Sequence, residues 1–147
     1  MLRKMAWRNL TAEEDANRPE ARLGGALLWM TIAASVLCIV ALAGTCFAFD
    51  RLREIGSRYI LAVAFIVAWS VTFAVMTLLR ARATPVVASV GLAAWIAYRF
   101  CVSLLAQAGW PLAVDLLGEA VMAAAFCGYM AGGVRPNAYY RRRLPTV

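Results

Sequence analysis

Three charged residues stand inside long apolar segments of the chain, where charges are rare. Arg99 lies in the third such segment, and Asp115 and Glu119 lie in the fourth. A guanidinium or carboxylate near the centre of a membrane helix is penalised by about 3 kcal/mol on insertion scales. Such groups therefore pair with one another or line a hydrated site that binds an ion or a substrate.

The spacing of these charges about a turn predicts that they meet. With Gly109 as the centre of the turn, Arg99 lies ten residues before it and Glu119 ten residues after it. At about 1.5 Å per residue both reach a depth of about 15 Å, near the middle of an apolar core about 30 Å thick. Ser103 is level with Asp115, and both lie four residues nearer the turn.

We therefore predict a polar ladder between the third and fourth helices. Arg99, Ser103 and Gln107 share one helical face, and Asp115 and Glu119 share another. In one interpretation, an ion pair fixes the register of the two helices. In the other, the cluster lines a hydrated cavity, where the surplus carboxylate stays protonated or binds a cation.

The composition indicates a membrane protein. Of the 147 residues, 63% are hydrophobic, against roughly 45–50% in soluble proteins, and the charged residues are clustered between long uncharged runs. The net charge of +7 comes from arginines that flank the apolar segments. This arrangement is typical of contact with anionic lipid head groups, and we expect no nucleic-acid partner.

The segments predict an all-α integral membrane protein, an antiparallel four-helix bundle over residues 24–133. Its spans are expected at about 24–49, 59–79, 85–106 and 111–133, with a charged loop at 50–58. Residues 1–23 form an N-terminal segment, either a short interfacial helix or a disordered tail. Within that segment, Thr11 and Glu14 match a capping box. Residues 134–147 form a basic tail.

The distribution of basic residues predicts that both termini face the cytoplasm. Eleven lysines and arginines fall on the terminal side: Arg3, Lys4, Arg8, Arg18, Arg22, Arg80, Arg82, Arg135, Arg141, Arg142 and Arg143. Only three arginines fall in the loops of the other side. Basic residues concentrate in cytoplasmic loops.

Two further patterns predict contacts. A ridge of small residues on the fourth helix consists of Ala120, Ala124, Gly128 and Gly132. It lets helices approach closely, either within the bundle or between subunits. The basic run of the tail consists of Arg141, Arg142 and Arg143. With Tyr139 it holds the tail to anionic lipid or docks a partner. Trp95 fits a lipid-facing or packing residue.

Catalytic chemistry finds no support in the residue types. The chain has no histidine, and its four cysteines form no CxxC pair. Phosphate-binding loops, nucleophile elbows and zinc-protease motifs are absent from the sequence. We therefore expect no enzyme activity, no cofactor and no metal site.

Several short motifs carry a family resemblance. Leu23-Gly24-Gly25 opens the first span, and Gly128-Tyr129, Val134-Arg135 and Tyr139-Tyr140 close the last. In these motifs and in layout the chain resembles a family of four-span bacterial inner-membrane proteins, the YdgK-like group, which carries a domain of unknown function. The resemblance implies a multi-pass protein of the bacterial inner membrane.

The predicted function is that of a non-enzymatic accessory or assembly subunit of a larger inner-membrane complex. The alternative is a small oligomeric transporter or channel that uses Arg99, Asp115 and Glu119. The expected partners are membrane lipids together with a membrane protein or further copies of this chain.

Overall fold

The computed structural model describes residues 7–55, 57–105 and 110–146. Its elements are β1 (Trp7–Asn9), α1 (Ala12–Asn17), a 3-10 turn (Pro19–Ala21), α2 (Gly25–Ile55), α3 (Ser57–Leu78), α4 (Thr84–Leu105), α5 (Trp110–Gly132), α6 (Val134–Arg141) and β2 (Arg143–Pro145). The fold is thus helical, as predicted. Four helices, α2 to α5, are long and apolar enough to cross a membrane, which indicates a multi-pass membrane protein.

The chain divides into two compact units. The α2–α3 unit comprises Leu23–Ala81, and the α4–α5 unit comprises Met1–Arg22 together with Arg82–Val147. The second unit therefore contains the segments before and after the four apolar helices, as well as two of those helices. Residues 1–6 and 106–109, where the sequence predicts a turn and which include Gln107, lie outside the described residues.

In the α2–α3 unit, the first apolar helix is longer than its uncharged segment. α2 continues through Asp50 to Ile55, with non-helical dihedral angles at Ala48 (φ −118°, ψ 20°). The prediction of a loop from residue 50 was therefore wrong. Most of the charged residues in this stretch are good helix formers, and no proline or glycine interrupts them before Gly56. α3 begins at Ser57.

Hydroxyl side chains of α2 are satisfied by the backbone of their own helix. Thr31 Oγ1 donates to the Leu27 carbonyl oxygen (2.8 Å) and Ser35 Oγ to that of Thr31 (2.9 Å). Thr45 repeats the pattern nearer the end of the helix. Bonds of this kind hide a polar group inside an apolar helix without calling on a neighbouring helix.

In the α4–α5 unit, α4 and α5 pack against each other. α4 begins at Thr84 with Pro85 in its first turn, where proline is well tolerated. At the other end of the pair, α5 stops at Gly132 and α6 starts at Val134. A side chain at Gly133 would collide with the carbonyl oxygen of Tyr129, so this junction requires glycine.

A small folded region, here called the cap, consists of β1, α1, the 3-10 turn, α6 and β2. β1 and β2 pair antiparallel, with Trp7 opposite Pro145 and Asn9 opposite Arg143. Residues 7–9 are thus neither an interfacial helix nor a disordered tail. Residues 134–145 are folded as well, and Tyr139 and Tyr140 are buried rather than free for lipid.

Polar contacts hold the cap together. The predicted capping box is present, with Glu14 N donating to Thr11 Oγ1 and Thr11 N to Glu14 Oε2. Glu14 also pairs with Arg8 (2.6 Å), which lowers the pKa of this carboxyl to about 2. Across the cap, Arg135 Nη1 donates to the Pro19 carbonyl oxygen (2.9 Å). These bonds tie α6 to the segment before α2.

Candidate functional site

The candidate site lies where α4 and α5 bring two of the predicted charges together. Arg99 Nη2 is 2.9 Å from Glu119 Oε1. The matched depths about the turn had predicted this pair. The two side chains retain 30% and 35% of their exposure, so the pair lies at the edge of the contact between the helices.

Trp95 completes the site. Its indole Nε1 donates to Glu119 Oε2 (3.1 Å), so both carboxylate oxygens have a donor. The Arg99 Cζ atom lies 5.9 Å from the centre of the Trp95 ring, within the range of a cation–π contact. The sequence alone fits Trp95 as a lipid-facing or packing residue and does not assign it to the site. Its position one helical turn before Arg99 was the signal that could have placed it here.

Arg99 keeps one donor unused. Its Nε atom is buried and has no hydrogen-bond partner among the described residues. A guanidinium has five N–H donors, and the Glu119 carboxylate takes only part of this set. The site is therefore neutralised in charge but not saturated in hydrogen bonds.

The rest of the predicted ladder is not assembled. Ser103 Oγ donates to the Arg99 carbonyl oxygen (2.8 Å) instead of facing Asp115. Asp115 is exposed, and no ion pair joins it to Arg99 in the part of the chain that the structure describes. Its position is about 6 Å nearer the turn than Glu119, which already occupies the guanidinium. Gln107 lies outside the described residues.

A second feature of the same two helices is an apolar groove of about 720 Å³. It is lined by Ala93, Ile96, Ala97, Phe100, Ala113, Leu116, Leu117, Ala120, Ala123, Ala124 and Cys127. None of the three residues of the ion-pair site lines it. The groove therefore lies apart from the charges and offers mostly methyl groups and small side chains.

Two residues of the small-residue ridge line this groove, and the other two face open space. Ala120 and Ala124 line the groove. A Cβ atom added at Gly128 or Gly132 would meet no atom within 4 Å. These two glycines therefore make no close helix contact inside the α4–α5 unit.

The three arginines after Tyr140 belong to the cap and not to a free tail. Arg141 Nη1 donates to Asn137 Oδ1 (3.1 Å), and Arg142 Nε lies 3.8 Å from Asp15 Oδ2. Arg143 lies in β2 opposite Asn9. Their positions are fixed by folded neighbours.

No candidate metal centre emerges from the acidic and sulfur-bearing side chains. Within the described ranges, no three Cys, Asp or Glu residues come close enough together to hold a metal ion. The cysteines described there are all unpaired thiols.

Comparison with known proteins finds no relative. No family model, no curated protein and no solved structure matches the chain.

Proposed function

We propose that the protein is a non-enzymatic accessory or assembly subunit of a larger complex in the bacterial inner membrane. In this proposal α2 to α5 form an antiparallel four-helix bundle with both termini in the cytoplasm. The observation that carries the proposal is the apolar groove on α4 and α5, which lies apart from the mutually neutralised charges of Arg99 and Glu119.

The ion pair supports a structural part for the charged residues. Both oxygens of Glu119 are engaged, one by Arg99 and one by Trp95. Each carboxylate oxygen can accept more than one hydrogen bond, but here two donors from α4 fix the orientation of the Glu119 side chain. The pair therefore suits a fixed register of α4 on α5.

The groove supports helix association. Its alanines leave room for a helix backbone to come close, and close approach drives helix packing in lipid, where burial of apolar surface gives little. We propose that one apolar helix of a different membrane protein occupies it. A transmembrane helix presents a side-chain ridge of the size that such grooves accept.

Copurification from native membranes tests this function. The tagged full-length chain is extracted in mild detergent, and partners are identified and quantified by mass spectrometry. Ala124→Leu fills the groove and is expected to lower the yield of a stoichiometric partner at least about tenfold. Ala125→Leu is the matched control, since Ala125 is exposed and does not line the groove.

The expected control result is an unchanged partner yield. Loss of the partner in both variants would contradict the groove as the binding surface. Purification of the chain with lipid alone, or only with further copies of itself, would overturn the subunit function.

A second function, a small oligomeric transporter or channel, is favoured by one observation. Asp115 is an exposed carboxylate on a helix that crosses the membrane, and Arg99 retains an unused donor. Solute or cation flux into liposomes containing the purified chain tests this function. Flux that falls in Asp115→Asn would support it, and absence of flux would leave the subunit function standing.

A further inference from the structure

The cap contains a cavity of about 500 Å³ whose wall is dominated by arginine. The residues that line it are Asn9, Leu10, Arg82, Arg141, Arg142 and Arg143. They come from three separate segments: the end of β1, the residues before α4, and the turn from α6 into β2. Four arginines from separate parts of the sequence therefore line one cavity.

The backbone at Arg142 builds this convergence. Arg142 adopts the left-handed conformation (φ 52°, ψ 47°), which is unfavourable for a residue with a side chain. The N–H of Leu10 donates to the Arg142 carbonyl oxygen (2.8 Å) and helps to hold this conformation. The chain reverses here, so that Arg141 at the end of α6 and Arg143 in β2 line the same cavity.

The positive charge of the cavity is poorly compensated by the protein. Arg141 is bonded to the neutral amide of Asn137, and Arg142 meets Asp15 only at 3.8 Å. Neither Arg82 nor Arg143 has an ion pair or a side-chain hydrogen bond with another described residue. Glu14, the other carboxylate of α1 that makes ion pairs, is engaged by Arg8 (2.6 Å) and Arg18 (3.6 Å). Guanidinium groups gathered in this way repel one another unless an anion joins them.

The location of the cavity suggests the depth at which its ligand lies. Arg82 is two residues before the first residue of α4, and α6 follows the end of α5 after a single glycine. The cavity therefore lies at one end of the pair of helices long enough to cross a membrane. Phosphate groups of phospholipids lie at this level of a bilayer.

We propose that this cavity is a binding site for a phosphate group, held by Arg82, Arg141, Arg142 and Arg143. The planar fork of arginine donates two parallel hydrogen bonds to phosphate oxygens, and several forks together suit a monoester that carries nearly two charges. The volume falls within the range of small-ligand pockets. The phosphate belongs either to a lipid head group or to a soluble ester, and the site is independent of the subunit function.

Binding to the full-length protein tests the proposal in two arms. In the lipid arm, protein in neutral phosphatidylcholine nanodiscs is compared with protein in nanodiscs that also contain phosphatidic acid, and bound lipid is counted by native mass spectrometry. In the soluble arm, inorganic phosphate is titrated into the neutral nanodiscs by calorimetry. Saturable binding in the first arm identifies a lipid phosphate, and binding in the second identifies a soluble one.

Matched variants separate a built site from general attraction of anions to a basic protein. Arg82→Gln and Arg143→Gln are each expected to weaken binding about tenfold, since each removes one charge-assisted contact. Arg18→Gln removes the same charge from the cap outside the cavity and is expected to change binding less than about twofold.

The folded state of each variant is checked by its thermal unfolding temperature. Arg82 and Arg143 make no side-chain bonds to the described residues, so both variants are expected to unfold near the temperature of the wild type. Arg143→Lys keeps the charge and loses the fork, and partial retention of binding is expected. Equal weakening in all the glutamine variants, or no saturable binding in either arm, would overturn the proposal.

Discussion

The two pairs of apolar helices accommodate their polar side chains in different ways. In α2, Thr31, Ser35 and Thr45 donate to carbonyl oxygens of their own helix, so their hydroxyls need no neighbour. In α4 and α5, Arg99 and Glu119 need each other. A locally satisfied hydroxyl lets a helix slide or rotate against its partner, whereas a charge paired across the contact permits one register.

Substitutions in the ion pair are expected to have the largest effect on stability. Arg99→Leu or Glu119→Leu leaves one charge without its partner and is expected to lower the free energy of unfolding by about 2 kcal/mol. The double variant removes both charges and is expected to recover most of this loss. Unfolding in mixed detergent micelles measures the unfolding free energy of the two single variants and the double variant.

Two outcomes would change this interpretation of the pair. A double variant no more stable than either single variant would mean that the charges do not compensate each other. A stable double variant that no longer copurifies with its partner would give the pair a part in association as well.

Trp95→Phe tests the third member of the site at a smaller scale. It keeps an aromatic ring beside Arg99 but removes the N–H that donates to Glu119, with an expected loss of about 1 kcal/mol of unfolding free energy. In a Glu119→Leu background the acceptor is gone, and the same substitution is expected to have little further effect. Equal losses in both backgrounds would show that Trp95 acts through packing alone.

Acid distinguishes the cap from the spanning helices. The pKa of Glu14 is lowered from 4.5 to about 2, first by its hydrogen bond with Arg8. Its contribution to stability is therefore present above pH 4.5 and is lost as the pH falls towards 2. The protection factors of the amides of β1 and β2, which correct for the pH dependence of intrinsic hydrogen exchange, should fall over this interval.

Glu14→Gln should remove part of that acid response, and Glu13→Gln, an exposed neighbour on α1, should preserve it. An identical pH response in wild type and Glu14→Gln would place the acid-sensitive group elsewhere in the cap.

Thr31→Val is expected to have the smallest effect, in contrast to the substitutions at Arg99 and Glu119. The hydroxyl bonds only to its own helix, and valine is close to threonine in shape, so the unfolding free energy should change by less than about 1 kcal/mol. A loss as large as that of Arg99→Leu would show that the α2–α3 unit also depends on a specific polar contact.

Much of this architecture could be predicted from apolar length and from charge. The four long apolar helices follow from uncharged segments, and the Arg99–Glu119 pair follows from equal distances to one predicted turn. The capping box of α1 could also be predicted from the sequence, because its two residues bond within a single helical turn. Each of these features depends on residues close in sequence or on helices joined by a short turn.

What could not be predicted depends on contacts that leave no local pattern. Trp95 joins the site through an indole N–H, and a tryptophan in a membrane helix fits several environments. β1 and β2 have three residues each, and the two strands lie at opposite ends of the described chain. Residues 7–9 are too few to show a strand pattern, and nothing in them indicates pairing with residues 143–145.

The pairing of β1 with β2 restricts how many times the chain between them can cross a membrane. Strands that share hydrogen bonds lie in the same aqueous compartment, and all four apolar helices lie between these two. A chain that left one helix outside the bilayer would cross an odd number of times and place the strands on opposite faces. In a multi-pass chain the sheet is therefore compatible only with an even number of crossings, and it can close only after the last crossing helix has been inserted.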